Sequence, residues 1–143
     1  MTPLIWLHVA AMIAAITIFV GVGLAVRTIA MRADPTTTRA VIGMTAPLFR
    51  IGGIAVGIGI IAGLVLARTY GFLTPWLIGA YLLTVVAAGL GNGIDAHWGQ
   101  RLAESDDASF EAIRHERLAA ISAWLGGAVW LAILWLMIAK PSW

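Results

Sequence analysis

The feature that most constrains this fold is a run of 24 residues near the N-terminus, 3–26, that carries no formal charge. About 20 apolar residues are enough for a helix to cross the hydrocarbon core of a bilayer. Later apolar runs predict three further spans, at about 47–67, 74–96 and 117–139. Lipid offers the backbone no hydrogen-bond partners, so such runs must be helical. We therefore expect an all-α protein, in which residues 1–143 form one integral membrane domain built as a four-transmembrane-helix, up-down-up-down bundle.

The composition supports insertion into a lipid bilayer. Only 11% of the residues are charged, whereas a soluble domain carries about a quarter, and the mean hydropathy is +0.94. The chain has no cysteine, which excludes disulfides, thiolate metal sites and cysteine nucleophiles. No phosphate-binding loop, serine-nucleophile motif or zinc-protease motif occurs. The basic residues lie at the ends of the spans, so we expect no nucleic-acid partner.

The connections between spans predict the orientation of the chain. Residues 28–46 form a polar connection with a turn at Asp34-Pro35, and residues 100–117 form a second polar stretch. From Asp107 this stretch predicts a helix that continues directly into span 4. Of the 9 Lys and Arg residues, four lie in or beside the first connection and three lie in the third. The positive-inside rule then places these connections in the cytoplasm and both termini outside.

His8 is the candidate functional residue of span 1. It lies five residues after Pro3, roughly 7–8 Å along a helix, and Tyr81 has a matching depth in span 3. An imidazole at this depth is expected to face the bundle interior. Three roles stay open: a structural histidine bonded to a carbonyl or hydroxyl, an axial ligand of haem b with Tyr81 as a distal group, or a copper ligand together with Met12.

The other histidines, His97 and His115, belong to the opposite side of the membrane. A haem held by two histidines of one chain is therefore not expected. Span 2 is rich in glycine, with small-residue pairs at Gly53/Gly57 and Gly59/Gly63. Such pairs permit close helix packing and favour a homo-oligomer, and the alternative is that they leave room for a flat cofactor.

Arg50 and Asp95 are charged residues at the inner ends of neighbouring spans, and we expect a salt bridge between them. Together with His8 and Tyr81, Arg50 completes the candidate cofactor site. The middle of spans 2, 3 and 4 contains no other titratable residue of the Asp, Glu, Lys, Arg or His type. This argues against a proton-coupled transporter and against a hydrolytic site within the membrane.

The two ends of the chain carry a family resemblance. Trp6-Leu7-His8-Val9 and Trp135-Leu136-Met137-Ile138-Ala139-Lys140-Pro141 resemble the ends of a family of small bacterial four-span membrane proteins. That family is distantly similar to CopD-like copper-resistance proteins and to HemJ-type protoporphyrinogen oxidases. The HemJ-type resemblance places a haem-ligating histidine at His8. It also places a functional lysine near Ala80, where this chain has none.

The HemJ-type family further has an Arg-x-x-Asn-Glu element before its last span, where this chain has Arg114-His115-Glu116-Arg117. These departures point away from protoporphyrinogen oxidation itself. The resemblance implies a haem-b-binding protein of the bacterial inner membrane with a redox or electron-transfer role, and a quinone or porphyrin-type small molecule as its partner. The alternative is a non-enzymatic membrane module for copper handling or assembly, in which His8 is structural.

Overall fold

The computed structural model describes residues 2–140, so Met1 and residues 141–143, including Pro141 of the closing motif, lie outside it. Four helices are long and apolar enough to cross a membrane, which confirms the all-α class and the four spans. A short amphipathic helix precedes the last of them. In chain order the helices are α1 (Pro3–Ala30), α2 (Pro35–Ala67), α3 (Pro75–Glu104), α4 (Asp107–Arg114) and α5 (Arg117–Ala139).

The long helices pack mainly as two antiparallel pairs, α1 with α2 and α3 with α5. The register of the first pair follows from its glycines, since Gly63 of α2 faces His8 and Gly52 faces Ile18. The chain therefore begins and ends at one end of the bundle, which we call the terminal end. The opposite end, where α1 ends, α2 begins and α4 lies, is called the cap end.

Helix α2 begins at Pro35, twelve residues before the predicted start of span 2, so the helix extends well beyond the predicted span. The reason is a strong N-cap, in which the Asp34 carboxylate accepts hydrogen bonds from the Thr37 N–H (2.9 Å) and the Thr37 hydroxyl (2.6 Å). Pro35 occupies the first helical position, where a missing N–H costs nothing. Pro47 lies inside the helix instead of starting it.

The ends of α1 and α3 also extend beyond the predicted spans, to Ala30 and Glu104. The first connection is thereby reduced to residues 31–34. The predicted continuous helix from Asp107 into span 4 is wrong, because the chain turns between α4 and α5 at His115 and Glu116. An ion pair between Arg101 of α3 and Glu116 spans this turn.

The cap end has its own hydrophobic core, against which α4 packs across the end of the bundle. Its buried members are Ala30, Trp98, Leu102, Phe110 and Ala119. Phe110 is fully buried, and the guanidinium groups of Arg39 and Arg114 lie over its ring at 5.8 and 5.5 Å. This core explains why α1, α2 and α3 are longer than a bilayer requires: their last or first turns build the cap rather than cross the membrane.

Two arginines of the cap donate hydrogen bonds to backbone carbonyls at the C-terminal ends of neighbouring helices. Arg114 Nη1 donates hydrogen bonds to the carbonyls of Ala30 (3.3 Å) and Ala33 (3.1 Å) at the end of α1. Arg39 Nη2 donates to the carbonyl of Ser105 (2.7 Å) just after α3. The last carbonyls of a helix have no partner within it, and a cation also suits the negative end of the helix dipole.

Helices α1 and α3 each contain a π-helical segment, at Thr17–Val22 and Gly89–Asp95. Such wide turns are rare and occur frequently at functional sites. Both segments lie in the half of the bundle nearer the cap, and both contribute side chains to the cavity described next.

Candidate functional site

A cavity of about 630 Å³ lies between the four long helices, in the half of the bundle nearer the cap. Its volume falls within the range of about 300–1,000 Å³ that is typical of small-molecule sites. All four helices line it, and most of the lining is aliphatic or aromatic, including Phe19, Phe49 and Trp130. Phe19 and Trp130 stack with their ring centroids 6.3 Å apart.

Glycines create much of this space. The lining includes Gly23 of α1, Gly53 of α2, Gly91 of α3 and Gly126 of α5. A Cβ atom built on any of these four glycines would meet no atom within 4 Å. The missing side chains are therefore not needed for close helix contact. They leave open volume on four sides of one interior space.

One part of the cavity wall is polar. It contains the charged residues Arg27, Arg50 and Asp95. Asn92 and Gln100, which are close to Asp95 in sequence, also line the cavity. Charged residues that face a cavity between membrane-spanning helices are a common mark of a functional site. The cavity thus combines an apolar body with a small charged region, an arrangement suited to an amphiphilic ligand.

The predicted salt bridge between Arg50 and Asp95 is not formed, and this prediction is wrong for the described residues. Arg50 is exposed and lies in the cavity wall. Asp95 instead interacts electrostatically with Arg27, without a salt bridge within 4.0 Å, and the Arg27 guanidinium lies 4.9 Å from the centre of the Trp98 ring. The lengthening of α1 to Ala30 brings Arg27 alongside α3, in the same cavity wall as Asp95.

His8 lies away from this cavity, between α1 and α2. Its Nδ1 atom is 2.7 Å from the carbonyl oxygen of Gly59. A carbonyl can only accept, so Nδ1 carries the proton and donates. The ring also rests on Gly63, where a built Cβ would lie 2.9 Å from His8 Cε1. The contact matches the first of the three predicted roles, a structural histidine bonded to a backbone carbonyl.

Met12, the predicted copper partner of His8, packs on the same face of α2. Its Sδ atom would lie 2.6 Å from a Cβ built on Gly59. It is buried in a hydrophobic core with Val129, Trp130 and Ile133. No group of three or more His, Cys, Asp or Glu side chains with metal-binding geometry occurs within residues 2–140.

Tyr81, the predicted distal group, lies in another hydrophobic cluster with Trp76, Leu77 and Leu136. Its hydroxyl is buried and has no hydrogen-bond partner among the residues that the structure describes. It does not line the cavity. The structure therefore places Arg50 in the cavity wall and leaves His8 and Tyr81 outside it.

The residues present do not fit a haem in this cavity. Its lining contains no His, Met, Cys or Tyr, which are the usual axial ligands of haem iron. On the Gly59/Gly63 face, the space left by the missing side chains is filled by His8 and Met12 themselves, so no flat cofactor is accommodated there. Gly53 is the one member of the two predicted pairs that borders the cavity.

Sequence reasoning missed the electrostatic interaction of Arg27 with Asp95 and the cavity itself. The pattern that indicates the cavity is the set of glycines near the cap end, Gly91 and Gly126-Gly127, at positions that close helix contact does not explain. No protein-family model, curated protein or solved structure matches this chain significantly, so the resemblance to CopD-like and HemJ-type proteins stays a prediction.

Proposed function

We propose that this protein binds a lipophilic small molecule with a polar head group in the cavity between its four helices. The observation that carries the proposal is the cavity of about 630 Å³, apolar and aromatic over most of its wall and charged at Arg27, Arg50 and Asp95. An apolar pocket with a few convergent polar groups is the usual form of a small-molecule site. A quinone, one of the two types of small molecule that the family resemblance implies beside a porphyrin, belongs to this class of ligand.

The proposal includes a location in a bacterial inner membrane. Of the seven basic residues counted in or beside the first and third connections, six lie at the cap end and Arg50 lies in the cavity wall, so the positive-inside rule supports a cytoplasmic cap and external termini. The cavity is then nearer the cytoplasmic leaflet. Its ligand comes from that leaflet or from the cytoplasm.

Cavity-filling substitutions test the proposal. Detergent-purified protein is incubated with 1-oleoylglycerol or with 1-oleoyl-lysophosphatidic acid, and bound amphiphile is counted by native mass spectrometry.

Gly23→Leu places a side chain in the cavity. Gly21→Leu is a matched control on the same helix, because Gly21 is exposed, has open space around it and does not line the cavity. We expect retention to fall severalfold in Gly23→Leu and to be unchanged in Gly21→Leu. Equal retention in both variants, each with a wild-type unfolding midpoint, overturns the proposal.

The second candidate is the haem role predicted for His8. One contact favours it, because metal-ligating histidines usually donate their other ring N–H to a carbonyl or carboxylate, as His8 Nδ1 does to Gly59. The absence of an iron ligand in the cavity lining weighs against it. The test is an absorption spectrum of the purified protein, oxidised and dithionite-reduced. A stoichiometric Soret band that is lost in His8→Ala and kept in His97→Ala supports a haem. A colourless protein that stays so after haem addition rejects it.

A further inference from the structure

A second, smaller space adjoins the cavity on the outside of the bundle. This groove, of about 250 Å³, is lined by Leu24, Arg27, Thr28, Met31, Arg32 and Trp124. Leu24 and Arg27 line both the groove and the main cavity, so the two spaces meet at this turn of α1. Since Trp124 belongs to α5, the groove lies where α1 and α5 pass each other.

The packing between α1 and α5 is open beside this groove. Gly23 of α1 and Gly126 of α5 have no atom within 4 Å of a built Cβ. For Gly127, the nearest atom is a methyl carbon of Val20, at 4.0 Å. At these glycine positions the facing helices therefore leave a gap between the cavity and the lipid, beside the larger side chains of Leu24 and Trp124. An alkyl chain is the kind of group that such a gap between two helices admits.

The groove itself is basic. Arg27 and Arg32 form no salt bridge within 4.0 Å among residues 2–140, and Arg32 is exposed. Asp95 attracts Arg27 from farther away, and it lines the cavity and not the groove. Arg27 is held over the Trp98 ring, which fixes the direction of its guanidinium group. Guanidinium groups bind phosphate oxygens in a bidentate manner and are preferred where phosphate is recognised.

The depth of the groove matches that of lipid head groups. Helix α1 has 28 residues, about 42 Å at 1.5 Å per residue, whereas the hydrocarbon core is about 30 Å thick. The last turns of α1 must then lie at or beyond the membrane interface. Trp124 is 75% exposed at the same level, as is usual for tryptophans at the interface.

We propose that Arg27 and Arg32 bind the phosphate of an anionic membrane lipid, whose alkyl chain passes between α1 and α5 into the cavity. This inference rests on the proposed function and adds to it the class of ligand, the head-group site and the route of entry. Arg50 and Asp95 lie further along the cavity wall and do not line the groove.

The test compares ligands that differ in one part. 1-Oleoyl-lysophosphatidic acid carries both phosphate and chain, 1-oleoylglycerol carries the same chain without phosphate, and inorganic phosphate has no chain. For the wild type we expect about tenfold tighter binding of the first than of the second, since charge-assisted hydrogen bonds discriminate at this level. We expect Arg32→Gln and the double variant Arg27→Gln/Arg32→Gln to remove this preference. Arg68→Gln, an exposed arginine at the terminal end, is the control.

The outcomes separate the two proposals. If both oleoyl ligands bind equally and Gly23→Leu weakens both, the cavity proposal stands and the phosphate inference is overturned. If neither ligand binds, both fail. Inorganic phosphate that binds as tightly as the lysolipid overturns the role of the alkyl chain. Arg32→Gln is expected to fold because the side chain is exposed, so the result does not depend on the more buried Arg27.

Discussion

The Nδ1 atom of His8 lies 2.7 Å from the carbonyl oxygen of Gly59, on the helix that packs against its own. This bond joins α1 to α2 near the terminal end of the bundle. It forms because Gly59 and Gly63 have no side chains, which lets the imidazole lie directly on the backbone of α2. Close approach at small residues and hydrogen bonds between helices are the usual sources of helix association in lipid.

The first prediction concerns Gly63→Ala. The new Cβ would lie 2.9 Å from His8 Cε1, so the ring must move and the bond to Gly59 is strained. We expect a loss of about 1–3 kcal/mol in the free energy of unfolding, which is typical of overpacking. Gly57→Ala is the matched control, since it lies on the same helix with open space at its Cβ. Unfolding in a detergent and denaturant mixture measures both.

A double-mutant cycle isolates the contact. With His8→Ala in place, Gly63→Ala no longer meets an imidazole, so its cost should largely disappear. We expect a coupling energy of about 0.5–3 kcal/mol between the two positions. If the costs simply add, the ring does not pack on Gly63 as described.

The second prediction concerns Phe110, the fully buried centre of the cap. We expect Phe110→Ala to cost about 3–5 kcal/mol, as large-to-small substitutions of buried aromatic residues do. The ring also contacts the guanidinium groups of Arg39 and Arg114, so its loss should loosen α4. Limited proteolysis between residues 105 and 116 should accelerate in Phe110→Ala and much less in Phe110→Leu. Unchanged proteolysis would show that α4 is held by other contacts.

The third prediction concerns Arg114, which donates to the carbonyls of Ala30 and Ala33. Arg114→Gln removes this closure, and we expect a loss of about 1–3 kcal/mol because the hydrogen bonds are charge-assisted. The local measurement is hydrogen exchange at residues 31–33, whose amides bond back to Arg27 and Ile29. Exchange there should be faster in Arg114→Gln and unchanged in Arg117→Gln, the exposed control.

The sequence was sufficient to predict the four spans, because runs of uncharged residues longer than a bilayer's thickness have few alternatives to a helix. The helix ends were harder to predict. Pro35 and Pro47 are each compatible with the start of a helix. The hydrogen bonds between Asp34 and Thr37 show that the helix begins at Pro35. Hydropathy detects the membrane segment of a helix and gives no information on turns that continue into a polar cap.

The candidate site was predicted only in part. His8 was identified because a lone imidazole in a span needs a partner, and the partner is a backbone carbonyl, which no sequence pattern encodes. The interaction of Asp95 with Arg27 rather than Arg50 depends on the added turns of α1 and on the π-helical segment before Ala96, which place both residues in one cavity wall. These are properties of tertiary packing.

The fourth prediction concerns acid, at the two helix starts of the cap. Hydrogen bonds from the Thr37 hydroxyl and N–H hold the pKa of the Asp34 carboxyl below its usual range, and Ser109 does the same for Asp106. A group with a lowered folded-state pKa stabilises the fold above its unfolded pKa, near 3.8, and loses this contribution as the pH falls towards the folded value. Stability should therefore fall in this acidic window.

Substitution by asparagine distinguishes the effect of the charge from that of the capping hydrogen bond. The asparagine side-chain oxygen accepts the same N–H hydrogen bond, and the amide does not titrate. We expect Asp34→Asn/Asp106→Asn to unfold more easily than the wild type at neutral pH. The difference should shrink as the pH falls from 3.8 towards the lowered folded-state pKa, where the wild-type carboxylates take up protons. Unfolding midpoints measured from neutral pH downwards give the comparison. A constant difference at every pH would mean that the two carboxylates stabilise the cap by hydrogen-bond geometry alone, without a contribution from their charge.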